Sequence, residues 1–141
     1  MMKTNDVSQY LLNKPKAIED YPFGPDVKVF KVKGKMFATL GRHHDEMIMN
    51  VKCDPTEALM LRDIFEGVIP GYHMNKKHWN TIKLNSDVPA KEVERMIDHS
   101  YALVVQSLKK SDRSQLELHF TEEQLYGVKK SKGDEDSVSK K

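Results

Sequence analysis

A chain of 141 residues, 38% of them hydrophobic and 31% charged, fits one domain and can bury a core without metal or disulfide staples. A formal net charge of +2 is too small to imply a nucleic-acid partner by itself. The one cysteine, Cys53, excludes an internal disulfide, no apolar leader follows the first residues, and no apolar run approaches the roughly 20 residues that span a bilayer. These exclusions predict a cytoplasmic protein, taken as a monomer.

In chain order, Val7, Tyr10 and Leu11 give residues 5–13 one apolar helical face, and Pro15 stops the helix. Pro22, Gly24 and Pro25 mark residues 16–26 as a loop. Three strands follow. In 28–33 Phe30 and Val32 share a face opposite Lys31 and Lys33, with Gly34 supplying the turn. In 36–40 the alternating set is Met36, Ala38 and Leu40. In 47–52 it is Met47, Met49 and Val51, with Asn50 and Lys52 opposite. Short connections between alternating strands predict an antiparallel meander with one wet face.

The second helix starts at Asp54 as cap, with Pro55 in the first turn and Glu57 three residues after the cap. Its expected buried stripe is Ala58, Leu61, Ile64 and Phe65, and Gly67 is expected to end it in a left-handed conformation. Residues 81–85 read as a strand. A long helix from about Pro89 carries Val93, Met96, Ile97, Tyr101, Val104, Val105 and Leu108 at helical spacing. Beyond Leu108 the pattern weakens. Thr121 to Gln124 can cap one more short helix, and residues 129–141 are too polar to offset their ordering entropy. The expected organisation is one domain over 1–120 and a short helix or flexible charged tail over 121–141.

The chain is polarised locally. Residues 27–44 hold Lys28, Lys31, Lys33, Lys35 and Arg42, and residues 67–86 hold Lys76, Lys77 and Lys83, with no acid in either stretch. A basic sheet-and-loop surface would hold a phosphate backbone, and Tyr72, His73 and Trp79 add groups that stack on bases or bond phosphates. The plain alternative is that the strand lysines are solvated residues that discourage edge pairing, and that Trp79 is a packing residue anchoring the loop that presents Lys76 and Lys77.

Other chemistries find little footing. His43-His44 and the His73/His78 pair match no standard zinc spacing, so no metal is expected, and His43-His44 reads as an exposed strand-end loop. Cys53 precedes a helix start, yet no nucleophile signature surrounds it and it reads as a small buried residue. There is no phosphate-binding glycine motif. The expectation is a protein without catalysis or cofactor.

Three blocks carry a resemblance: Val51-Lys52-Cys53-Asp54-Pro55; the run from Pro70 to Thr81 with its His73-Met74-Asn75-Lys76-Lys77-His78-Trp79 core; and Asp98-His99-Ser100-Tyr101-Ala102-Leu103-Val104. In this order they resemble the MmcQ/YjbR family, over about residues 7–108. The resemblance implies a frataxin-like (CyaY-like, double-wing-like) α+β fold, with an antiparallel sheet of about four to six strands packed against helices. It also implies DNA as partner. The expected DNA-binding residues are Lys76, Lys77 and His78 by position in the motif, with Tyr72, His73 and Lys83 beside them and Lys31, Lys33 and Lys35 on the strands. A protein-interaction or small-ligand module on the same fold is the alternative, and it predicts a concave apolar pocket near the Pro70 loop.

Overall fold

The computed structural model describes residues 3–127; the expected flexible tail at 129–141 lies outside them. The chain runs α1 (Thr4–Leu12), β1 (Ile18–Asp20), β2 (Val27–Val32), β3 (Lys35–His43), β4 (Glu46–Lys52), α2 (Pro55–Ile64), β5 (Val68–Pro70), β6 (Trp79–Lys83), α3 (Ala90–Gln106), α4 (Lys110–His119) and α5 (Glu122–Tyr126). The strands form one antiparallel sheet in the order β1-β2-β3-β4-β6-β5. This bears out the α+β class with a sheet backed by helices. β1 and β5 were missed: each has three residues at a sheet edge, too short to show a period.

Two tight hairpins set the register. Val32 pairs with Lys35 across Lys33 and Gly34, and His43 pairs with Glu46 across His44 and Asp45. All four turn residues have positive φ, as a two-residue turn matched to strand twist requires. Between β2 and β3 the register slips, since Phe30 faces Ala38 but Lys31 faces Met36. Phe37 is the extra residue of a bulge. It buries fully, 6.5 Å from Phe30 and edge-on to Tyr101 at 5.2 Å between ring centres. The extra residue reverses the alternation, so Met36 leaves the expected face of Ala38 and Leu40 and joins Thr39 and Gly41 on the other.

The core lies between the sheet and the helices. Phe30, Val32, Ala38, Leu40, Met49, Val51 and Ile82 meet Val7 and Leu11 of α1, Ala58 and Leu61 of α2, and Met96, Ile97, Tyr101, Val104 and Val105 of α3. The Ser100 hydroxyl stitches α3 to the sheet: it accepts from Lys52 N at 2.8 Å and donates to Phe37 O at 2.6 Å. Both backbone groups lie just past the last β3–β4 pair, Ala38 with Val51, so the buried serine satisfies polar groups the ladder leaves behind.

Three expectations need correction. The opposite sheet face is not wet: Val29, Thr39, Ile48, Asn50 and Thr81 are buried there. Ile64 is 62% exposed, because α2 ends at that residue and Phe65 turns extended toward β5. Gly67 does not supply a left-handed cap. It is buried so close to Ser86 that a Cβ on it would stand 2.0 Å from the hydroxyl oxygen. Asp87 accepts from Gly67 N and Glu66 N at 2.8 and 2.9 Å, fixing this crossing. The core extends through Leu116 of α4 and Leu125 of α5. α4 was unreadable because Leu116 is its one buried residue and Leu118 is 80% exposed. Thr121 and Gln124 form the expected capping box of α5.

Gly67→Ala should therefore destabilise by about 1–3 kcal/mol, the range for forced overpacking. Thermal melts should show the loss, and adding Ser86→Gly should recover part of it. An unchanged melting temperature would contradict the close approach.

Candidate functional site

Thr39, Asn50 and Thr81 stand side by side on β3, β4 and β6, in register on the face away from the helices. The Asn50 amide donates to Thr39 Oγ1 at 2.9 Å, and the Thr81 hydroxyl donates to Asn50 Oδ1. Thr81 Oγ1 also accepts the backbone N–H of Tyr72 at 2.8 Å. This pulls the segment after β5 over the sheet. The result is a groove of about 410 Å³. Its walls are Phe23, Val27, Met36, Ile48, Tyr72 and Met74; its floor is Thr39, Gly41 and Asn50; Arg42, His43 and His73 complete the lining.

Four rings line up at one end. His44, His43, Tyr72 and His73 follow one another at centroid spacings of 4.1, 3.9 and 4.0 Å, each pair tilted. The β3–β4 turn supplies His44, the end of β3 supplies His43, and the β5–β6 loop supplies the others. Partial loss of water around His43, with the imidazoles of His44 and His73 beside it, holds its pKa below the ordinary histidine value. The shift favours the neutral form of His43, and Arg42 is the fixed cation of the lining.

The β5–β6 loop is held by its motif residues. Gly71 N donates to Trp79 O at 2.9 Å, and a Cβ on Gly71 would stand 2.9 Å from Met74 Cβ, Trp79 Cβ and Trp79 O. Asn75 Oδ1 accepts from Lys77 N and His78 N at 2.9 and 3.2 Å. From α2, Arg62 donates Nε to Asn80 Oδ1 at 2.7 Å and Nη2 to the carbonyl of Lys76. Trp79 is half-buried, so the anchor of the loop is shared between Trp79 and Arg62, a residue whose exposed-looking helical position gave no signal.

Most of the lysines among the expected DNA-binding residues have intramolecular partners in this arrangement. Lys31 pairs with Asp20 at 2.8 Å, Lys33 donates to Gln115 at 2.6 Å, and Lys35 donates to Ser107 O at 3.1 Å. Lys76 folds back onto Gly71 O at 2.9 Å, and Lys83 faces Glu46 at 4.0 Å. His78 is half-buried, its carbonyl accepting from Cys53 N at 2.7 Å. Lys77 is exposed. Tyr72 and His73 alone of the nine line the groove. His43, Arg42, Met36 and Phe23 were missed as site residues. The adjacent His43-His44 pair was the available signal, but nothing local said that Tyr72 would meet it. Cys53 is buried, and burial pushes its thiol up to about 12, which removes the thiolate a nucleophile needs.

A family model described as YjbR matches residues 12–103. The chain belongs to the YjbR family. Among similar YjbR-like proteins, the Escherichia coli O157:H7 protein named Uncharacterized protein YbdF is 35% identical over 96 residues, covering 68% of this chain and 79% of that protein. Uncharacterized protein YjbR of Escherichia coli K12 is 28% identical over 115 residues, 82% of this chain and 98% of the other. Two solved structures share the fold. The Deinococcus radiodurans protein DR2400, a DUF419 domain, superposes with a TM-score of 0.76 at 32% identity, covering 83% of this chain and 89% of that one. A Pseudomonas syringae protein superposes with a TM-score of 0.64 at 31% identity, covering 72% and 98%. The YjbR match spans β1 to most of α3, and so includes every residue of the groove.

Two measurements check this geometry. In an NMR titration His43 should lose its proton below the ordinary histidine value, and His73→Ala should move it up toward that value. Arg62→Ala should raise amide exchange at residues 76–79 well above the rest of the sheet; equal protection in variant and parent would mean that Arg62 does not hold the loop.

Proposed function

We propose that the chain is a non-catalytic binding module, and that its site is the groove beneath the β5–β6 loop. The ligand class is a small, largely apolar molecule bearing an anionic group. The observation that carries this reading is the groove itself: about 410 Å³ lies within the size range of small-molecule sites, with mostly apolar walls. The hydroxyls and amide of the floor are bonded to one another and to Tyr72 N, so they offer little free directional recognition. Specificity would come from the rim. Arg42 supplies positive charge for a carboxylate or phosphate, and Tyr72 with His43 supplies flat faces for an aromatic body.

The test is a two-dimensional NMR screen with aromatic and short-chain carboxylic acids. Binders should shift the Met36 and Ile48 methyls and the Tyr72 and His43 rings, and Tyr72→Ala should weaken them by roughly 2–12-fold, the value of one aromatic contact. Shifts confined to other faces, or no binders at millimolar concentration, would sink the reading.

DNA is the second reading, favoured by the acid-free β5–β6 loop with exposed Lys77 and His73 at its surface. It would draw three or four phosphate contacts from lysines that first leave their intramolecular partners. Anisotropy with duplex DNA should then give a log–log salt slope of about −3, reduced by Lys76→Glu with Lys77→Glu. Binding that ignores salt, or survives both substitutions unchanged, rules it out.

A further inference from the structure

We propose that Cys53, Glu57 and His99 form a binding site for a zinc-class divalent ion. The site is separate from the groove and does not depend on its reading. Its three residues come from three places: Cys53 follows β4, Glu57 lies in the first turn of α2, and His99 sits midway along α3. Folding brings one sulfur, one carboxylate oxygen and one imidazole nitrogen within 4.8 Å of one another. Ligand atoms around a tetrahedral zinc stand roughly 3.3–3.8 Å apart, so the cluster needs to close by no more than about 1–1.5 Å. Side-chain rotation of Glu57 and His99, both half-buried, covers that distance.

The donor set selects the metal. Once the ion displaces the proton of the Cys53 thiol, one thiolate, one imidazole and one carboxylate suit zinc and its borderline neighbours, whereas calcium and magnesium want oxygen alone. The surroundings fit the role. Arg95 Nη1 donates to Glu57 Oε2 at 2.6 Å while its Nη2 donates to Glu92 Oε1 at 3.0 Å, which leaves Glu57 Oε1 for the ion. The backbone N–H of Asp54 donates to His99 Nε2 at 3.2 Å. That lone pair is the one a metal would take. The contact is long, and Asp54 is exposed, so water replaces it as partner of the N–H. Three protein ligands leave a fourth position for water or for a donor atom of another molecule. The cleft between α2 and α3, lined by Met60, Ile64 and Glu92 beside Glu57 and Arg95, gives access from solvent.

Cobalt(II) titration of the whole protein under reducing conditions tests the site by absorption. The expected result is one cobalt per chain, with a sulfur-to-cobalt charge-transfer band in the near ultraviolet and strong visible bands of four-coordinate geometry. Equimolar zinc should bleach both. Cys53→Ser should abolish the charge-transfer band, and His99→Gln and Glu57→Gln should each weaken binding at least about tenfold. Should Cys53→Ser fail to fold, the other two variants decide, with circular dichroism to verify their folding. A charge-transfer band unchanged in His99→Gln and Glu57→Gln, no such band at all, or cobalt binding that is lost in His119→Ala instead would overturn the proposal.

Discussion

The chain of hydrogen bonds from Thr39 through Asn50 and Thr81 to the Tyr72 N–H is the constraint on which the groove depends. It crosses three neighbouring strands at one level and ends on the β5–β6 loop. Thr39, Asn50 and Thr81 are buried, so each must find a partner inside the protein, and the register supplies it. A bond of this kind contributes only about 0.5–1.5 kcal/mol net, but a buried polar group left alone costs about 1–3 kcal/mol. The asymmetry makes the network a register lock. A slip of one strand by one residue would turn its member of the network into the helix-packed core and leave the neighbouring member without its partner.

The two sheet faces consequently have different work. The helix face is apolar and carries stability through Phe30, Phe37, Leu40, Met49 and Ile82, which pack against α3 residues such as Tyr101. The opposite face carries a polar floor, apolar walls and a rim of rings. The bulge at Phe37 links the two, because the extra residue sends Phe37 into the core and Met36 into the groove. Arg62 and Asn80 tie the helix side to the loop that walls the groove, so α2 and the site are mechanically connected.

Strong local signals were legible. α1, α2 and α3 were read from apolar spacing and caps, the Lys33-Gly34 turn from its glycine, and the α5 cap from Thr121 and Gln124. Failures came where an element has one or two informative residues. β1, β5 and α4 have no period to read. Ile64 and Gly67 were misread because the spacing of a helix does not say where the chain must leave it. The site was half legible. Tyr72 and His73 were singled out, but as partners of Lys76, Lys77 and the strand lysines, whose side chains find partners elsewhere or face solvent. His43 and Arg42 joined them only through β-sheet geometry.

By itself the sequence determined the class of the molecule, most of its helices and the rough positions of its principal strands, because propensity, period and capping act within a few residues. It also carried the motif by which the YjbR family is recognised. Tertiary structure alone decided that the second sheet face is covered, that Tyr72 lies against His43, and that Cys53, Glu57 and His99 share one corner. The physical reason is common to all three. Long-range packing and the satisfaction of buried polar groups depend on pairings between strands and helices tens of residues apart, and no local pattern encodes which pairing wins.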